Sequence, residues 1–218
     1  NINAYKNSKL IKHSVEIPNY KKKKSINILK KKYNIKNNFF FLPNHYWIHK
    51  NHLTVLKALS IKNLKNDDYQ IISTGNTYDH RHPEFFPNLL SFIKKHKLTN
   101  KYKILKVVPY IDLMSLMFYS IAVINPSYSE GWSNTVEQAK AMKKKTIISN
   151  IMVHREQKNN DTILFKANDY KKLRKVLDKE FLKYLKTKKK FNKNYFNSNL
   201  NLRKKFIHDY QKVILKYL

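Results

Sequence analysis

Short apolar runs alternate with helically patterned segments along most of this sequence, and this alternation constrains the fold more than any other feature. The runs that have the length and apolar content of buried strands are 39–42, 70–74, 103–108, 121–124, 146–148 and 162–165. The intervening segments with apolar residues at helical spacing are 52–64, 84–96, 110–119 and 134–142. Strands separated by helices predict an α/β, Rossmann-like fold, with a parallel sheet that carries helices on both faces.

Two further helical segments close the chain, at 168–185 and 200–218, and a polar, Lys-rich run joins them. We expect a Rossmann-like domain over residues 1–185, then a linker and closing helix over residues 186–218, because 218 residues suit one domain of this kind. No apolar run is long enough to cross a bilayer. The sequence has no cysteine, which excludes disulfides and thiolate metal sites and fits a cytoplasmic protein.

The formal net charge of +31 suggests a module that binds nucleic acid or an anionic membrane surface. However, the basic residues are 41 Lys and only 4 Arg, whereas nucleic-acid recognition relies on the planar fork of Arg. Abundant Lys, Asn, Ile and Tyr with only 2 Gly is typical of an AT-rich coding bias. Both explanations of the charge stay open, and a basic surface would still favour peripheral contact with the inner face of an anionic membrane.

Ligands of such parallel sheets bind beyond the carboxyl ends of the strands, near the point where the strand order reverses. Three segments occupy that position in the predicted fold: 44–52, 75–81 and 127–134. The third of these leaves a buried strand and enters a helix. Ser133 or Asn134 can cap that helix. Its first amides would then form an anion site for a diphosphate, because the helix dipole favours negative charge there.

The two glycines of the chain are Gly75 and Gly131. A chain of this length would carry roughly 15 at average usage, so we expect the two that remain to lie where a side chain does not fit. Glu130, next to Gly131, can accept hydrogen bonds from sugar hydroxyls. Glu137 and Gln138 follow in the helix and can reach back along it.

Several motifs resemble, in the expected order, the donor-binding region of family 4 glycosyltransferases of the GT-B fold. The stretch 126–142 carries the likeness most clearly, and its Glu-Gly-Trp-Ser loop is typical of one subgroup. Residues 148–151 and 153–157 continue the likeness after this stretch. Before it, the likeness includes residues 40–44, Trp47, residues 49–52 and residues 108–110. The resemblance covers roughly residues 8–170 and implies the C-terminal half of a GT-B architecture.

This resemblance implies a retaining, metal-independent enzyme that moves a hexose from a UDP- or GDP-sugar to a glycan or lipid-linked acceptor, with no cofactor. It implies that Glu130 contacts the donor sugar and that Lys50 binds a phosphate oxygen and stabilises the leaving nucleotide. The remaining implied donor-site residues are Asn44, His45, Val108, Pro109, Gly131, Trp132, Ser133, Asn134, Glu137 and Gln138.

The sequence departs from this family pattern in four ways. The family spaces two glutamates as Glu-x7-Glu, but the second position here is Gln138, with Glu137 before it. His45 stands where the family often has Arg, and Lys106 where it often has Gly. The chain has room for the second GT-B domain only. The N-terminal acceptor domain would then be a separate partner, or the chain would be a fragment, an inactive remnant or one subunit of a split enzyme.

Two groups of potential metal ligands contain histidine. The first is His45, His49 and His52, and the second is Asp79, His80 and His82. Neither has the spacing of a strong ligand motif such as His-Glu-x-x-His. We therefore expect no metal and interpret both groups as loop residues near the cleft.

Overall fold

The computed structural model describes residues 15, 23–61, 68–187 and 195–215. Its strands are β1 (Asn38–Pro43), β2 (Tyr69–Thr74), β3 (Tyr102–Ile104), β4 (Val123–Asn125), β5 (Thr146–Ser149) and β6 (Thr162–Phe165). Its helices are α1 (Ile26–Tyr33), α2 (His52–Ser60), α3 (Phe85–Lys95), α4 (Tyr110–Tyr119), α5 (Asn134–Ala141), α6 (Met152–Gln157), α7 (Tyr170–Thr187) and α8 (Tyr195–Ile214). A short 3-10 helix, Ile48–Lys50, precedes α2.

All strand pairs of the sheet are parallel, and the strand order is β3-β2-β1-β4-β5-β6. This is a doubly wound, Rossmann-like arrangement, which confirms the predicted fold class. The order reverses between β1 and β4, so the loops that follow these two strands diverge there and leave a crevice.

The sheet separates two apolar layers, because alternate side chains of each strand point to opposite faces. Phe40 and Leu42 of β1 belong to one core cluster, together with apolar side chains of α2, α3 and α7. Phe39 and Phe41 belong to the other, together with side chains of α1, α4 and α5. The continuous Phe39–Phe41 run is therefore core on both faces, as expected for a central parallel strand.

Helix α1 was not predicted, and a buried carboxylate attaches it to α4. The Asp112 side chain is fully buried and lies 2.6 Å from Lys32 Nζ and 3.0 Å from Lys24 Nζ. The hydroxyl of Tyr33 donates to the same carboxylate at 2.6 Å. Burial alone raises the pKa of Asp112, but the contacts from Lys32, Tyr33 and Lys24 outweigh it and hold the pKa below its usual value.

Several predicted boundaries differ from the structure. β3 ends at Ile104 rather than continuing to residue 108, because Lys106 has a φ of 55° that no strand can accommodate. α2 ends at Ser60, and residues 62–67 lie outside the described residues. The closing helix begins at Tyr195, so the predicted linker is shorter, and its residues 188–194 also lie outside the described residues. Across the described residues, no helix combines the length and the apolar character that a membrane span needs.

Among the described residues, five non-glycine residues adopt the left-handed backbone conformation that usually favours glycine. They are Asn34, Asn51, Lys97, Lys106 and Lys143. Three of them follow a helix directly or by one residue, the position where glycine most often ends helices. In this glycine-poor chain, Asn and Lys therefore occupy backbone positions that many proteins give to glycine.

Candidate functional site

A cavity of about 370 Å³ opens at the carboxyl edge of the sheet, beside the reversal between β1 and β4. The loops after β1, β2, β3 and β4 all contribute to its wall. The lining residues are Pro43, Asn44, His45, Lys50, Thr74, Gly75, Val107, Val108, Leu113, Glu130, Trp132, Ser133, Asn134 and Thr135. Residues of all three segments predicted to form the ligand site therefore meet in this cavity.

Lys50 and Glu130 form an ion pair in the wall of this cavity. Lys50 Nζ lies 2.8 Å from Glu130 Oε1 and 2.7 Å from Oε2, so one ammonium group contacts both carboxylate oxygens. Both side chains are largely buried, with 15% exposure for Lys50 and 7% for Glu130. The pair brings together two residues that are 80 positions apart in the chain and that sequence analysis assigned to one site.

Two buried polar residues hold Glu130 from the side of the sheet. Ser127 Oγ lies 2.6 Å from Glu130 Oε1, and Asn125 Nδ2 lies 3.5 Å from the same oxygen. Burial by itself would raise the pKa of Glu130. Hydrogen bonds from Lys50 and Ser127 overcome that effect and hold the pKa below its usual value, so the group is a carboxylate at neutral pH.

The first turn of α5 forms another part of the wall. Ser133 is the N-cap, because its hydroxyl accepts from the amide of Val136 at 3.4 Å. Asn125 Nδ2 donates to the same hydroxyl at 2.8 Å. The side-chain amide of Gln157 accepts from the Ser133 N–H at 3.3 Å and donates to the Ser133 carbonyl at 3.0 Å. The helix terminus is therefore rigidly held, and its dipole adds positive potential on the side where Lys50 lies.

Asn51 fixes the position of Lys50 next to it. Its backbone is left-handed, with a φ of 56°, and it joins the 3-10 turn to α2. Its buried side-chain amide donates to the carbonyls of Pro126 at 2.9 Å and Ala167 at 2.7 Å. The loops after β1, β4 and β6 are thereby tied together, and Lys50 faces the loop that carries Glu130.

The predicted site residues divide into two sets. Those that line the cavity are Lys50, Glu130, Asn44, His45, Val108, Trp132, Ser133 and Asn134. Those outside the lining are Pro109, Gly131, Glu137 and Gln138. Glu137 instead accepts from Lys140 Nζ at 2.9 Å and from Gln157 Nε2 at 2.9 Å.

The expectation that both glycines exclude a side chain is right for one of them. A Cβ on Gly75 would lie 2.4 Å from the carbonyl oxygen of Asn44, and its φ of 145° is strained for any other residue. A Cβ on Gly131 would have no atom of the described structure within 4 Å. The expectation is therefore wrong for Gly131, which is exposed to solvent.

The histidines provide no metal centre among the described residues, where no cluster of three or more potential ligands occurs. His52 begins α2, at the start of the predicted helical segment 52–64, and it is fully buried, so its interpretation as a loop residue near the cleft is wrong. Its Nδ1 lies 2.7 Å from Tyr102 Oη and its ring stacks on Tyr46, and burial lowers its pKa to about 4. Burial and the charge of Lys50 also lower the pKa values of His45 and His49, so both imidazoles are neutral at neutral pH.

Sequence analysis missed the residues that hold the site together, chiefly Asn125, Ser127 and Gln157. Their place directly after an apolar strand, at the ligand edge of the sheet, marks the first two as candidates but does not show whether their side chains face the interior. No local signal distinguishes Gln157, because its role depends on α6 packing against the start of α5.

The chain matches the model of the family described as Glycosyl transferases group 1 over residues 25–197. No curated protein matches it significantly.

Several solved structures share the fold. One from Rickettsia africae aligns with a TM-score of 0.69 and 24% identity, over 87% of this chain and 52% of that one. HepE from Anabaena, solved in complex with UDP, aligns with a TM-score of 0.73 and 16% identity, over 96% and 57%. The catalytic domain of a cholesterol-alpha-glucosyltransferase from Helicobacter pylori aligns with a TM-score of 0.59 and 17% identity, over 76% and 99%. This chain spans about half the length of the first two proteins.

Proposed function

Because this chain belongs to the group 1 glycosyl transferases, we propose that it is the donor-binding half of a retaining hexosyltransferase of the family 4 type. The donor is a UDP- or GDP-sugar, and the acceptor is a glycan or a lipid-linked sugar. The observation that carries the proposal is the Lys50–Glu130 pair, which stands in a cavity wall next to the capped N-terminus of α5. The crystal complexes of HepE with UDP and with UDP-glucose support the choice of a nucleotide sugar.

Each part of the donor has a chemically suitable partner in this cavity. The diphosphate would bind Lys50 and the first amides of α5, since both supply positive potential. The donor sugar would place its hydroxyls at Glu130, beside the indole of Trp132. The base would lie toward the apolar side chains Val107 and Val108.

The proposed reaction breaks the bond between the anomeric carbon and the diphosphate oxygen while the acceptor oxygen bonds to the same face of the sugar, and the acceptor's hydroxyl proton passes to the departing diphosphate. Negative charge then grows on the departing diphosphate. Lys50 and the α5 terminus would stabilise that charge in a partly buried setting, where electrostatic interactions are strong. This arrangement requires no metal ion and no cofactor.

The acceptor would be held mainly by a second, N-terminal GT-B domain, in the same polypeptide or as a separate chain. We place the reaction in the cytoplasm, where the many lysines would favour contact with an anionic membrane surface and with a lipid-linked acceptor. The alternative of a nucleic-acid-binding module predicts salt-sensitive, sequence-independent binding of DNA.

The decisive experiment titrates the protein with UDP, GDP and their sugar conjugates, and compares Lys50→Gln with the control Lys57→Gln. Lys57 lies on the exposed side of α2, so both variants lose one positive charge but only one loses the cavity cation. We expect Lys50→Gln to weaken nucleotide binding by about tenfold or more, the size of a hydrogen bond to a charged group, and Lys57→Gln to leave it unchanged. No binding of any nucleotide to the wild type at millimolar concentration would refute the donor site.

A further inference from the structure

The Lys50–Glu130 pair engages the same ammonium group that the proposed function assigns to the diphosphate. Its Nζ atom lies 2.8 Å from Glu130 Oε1 and 2.7 Å from Glu130 Oε2. A diphosphate that enters the cavity must therefore compete with Glu130 for Lys50. The two side chains are shielded from water, so this competition is stronger than between exposed charges.

Glu130 can stay in place when Lys50 moves away, because its Oε1 has other support. Ser127 Oγ carries a single proton and lies 2.6 Å from both Glu130 Oε1 and Asn125 Oδ1. Asn125 Oδ1 also accepts from Asn44 Nδ2 at 3.1 Å, so the Ser127 proton is available to Glu130. The carboxylate is thus fixed to the ends of β4 and β1 rather than to Lys50 alone.

The other carboxylate oxygen depends on Lys50. Within the described part of the chain, Oε2 receives a hydrogen bond from Lys50 Nζ at 2.7 Å and from no other group. Loss of Lys50 would leave a largely buried carboxylate oxygen without a donor, which is unfavourable unless a new donor replaces it. The hydroxyls of a donor sugar are such donors. A nucleoside diphosphate that carries no donor sugar has no hydroxyl to place beside Glu130 Oε2.

We propose that Glu130 discriminates between a nucleotide sugar and a nucleoside diphosphate that carries no donor sugar. It does so by keeping its ion pair with Lys50 until hydroxyls of the donor sugar replace Lys50 as hydrogen-bond donors. This inference rests on the proposed function and adds a consequence to it. The product of transfer is a nucleoside diphosphate, so Glu130 weakens product binding and assists product release. Glu130 is then a specificity residue that opposes the binding of the phosphates it stands beside.

The test measures the Kd of UDP and GDP by calorimetry for the wild type, Glu130→Gln and the control Glu84→Gln. Glu84 is 64% exposed and does not line the cavity, so the control reproduces the loss of one negative charge outside the cavity. We expect UDP or GDP to bind Glu130→Gln about tenfold more tightly, as the loss of a charge-assisted contact to Lys50 predicts, and Glu84→Gln to bind like the wild type. The affinity ratio of UDP-glucose or GDP-mannose to the matching nucleotide should fall in Glu130→Gln.

A double variant shows whether Glu130 acts through Lys50. In a Lys50→Gln background, Glu130→Gln should no longer tighten nucleotide binding, because the competition has been removed. An equal or weaker affinity of Glu130→Gln for UDP and GDP, relative to Glu84→Gln, would overturn this inference and leave the donor site standing. Tightening that persists without Lys50 would also overturn it. Absence of nucleotide binding in every variant would instead refute the proposed function.

Discussion

Replacement of Gly75 by alanine tests whether the cavity wall depends on a close backbone contact. The Cβ would lie 2.4 Å from the carbonyl oxygen of Asn44, 2.7 Å from its carbonyl carbon and 2.8 Å from His45 Cα. These are backbone atoms and cannot rotate away as a side chain can. Asn44 and His45 line the cavity, so the substitution should damage both the fold and the site.

The magnitude follows from two costs and one gain. The strained φ of 145° costs about 2 kcal/mol for a residue with a Cβ. The overlap with Asn44 and His45 costs about 2 kcal/mol after relaxation. The reduced entropy of the unfolded chain returns about 0.7 kcal/mol. The free energy of unfolding should therefore fall by about 3 kcal/mol, which corresponds to a decrease in Tm of about 9 °C in a protein of this size.

The matched control is Gly131→Ala, since it makes the same change at the other glycine of the chain. No described atom lies within 4 Å of its Cβ, so its stability should change by less than about 0.5 kcal/mol. Urea denaturation and thermal melts followed by circular dichroism would measure both variants. Similar midpoints for Gly75→Ala and Gly131→Ala would refute the reasoning, because it depends on the contrast between these positions.

Two more variants test how the site and the N-terminal helix are held. Ser133→Ala removes the N-cap of α5 and the acceptor of Asn125, so it should cost about 1 kcal/mol in urea denaturation; an unchanged midpoint would contradict the assigned cap. In Asp112→Asn, Tm should fall less steeply as the pH is lowered than it does in the wild type. Contacts from Lys32 and Tyr33 outweigh burial and lower the pKa of Asp112 in the folded state. Its stabilisation is therefore complete above the ordinary Asp pKa and is lost as pH falls through the lower folded value, and equal acid profiles for variant and wild type would argue against this pairing.

The order of strands and helices could be predicted from the sequence because each central strand is a short apolar run between polar segments. The run at Phe39–Phe41 is an example, since both of its faces are covered and every residue is apolar. The end of β3 could not be predicted in this way. Its apolar pattern continues past Ile104, but the left-handed backbone of Lys106 turns the chain out of the sheet.

The location of the candidate site could also be predicted, because parallel strands present their carboxyl ends at one edge. Lys50 and Glu130 were both expected there. Their direct contact was not predicted, since it depends on which strands are neighbours and on the exact side-chain conformations. The buried supports at Asn125 and Ser127 were missed for a related reason: a polar residue after a strand can face solvent as easily as the interior, and the sequence pattern does not decide between them.

The left-handed lysines and asparagines have an evolutionary consequence. A β-carbon at such a position costs about 1 kcal/mol, an amount that a domain of this size can absorb at a few places. Mutational drift away from glycine codons can therefore proceed at Lys97, Lys106 and Lys143, where the side chain extends from the backbone without a collision that would abolish folding. At Gly75 the same drift meets the backbone of the neighbouring loop, and selection should oppose it. Gly75 thus marks a backbone position that cannot follow genome composition, in contrast to the three lysine positions.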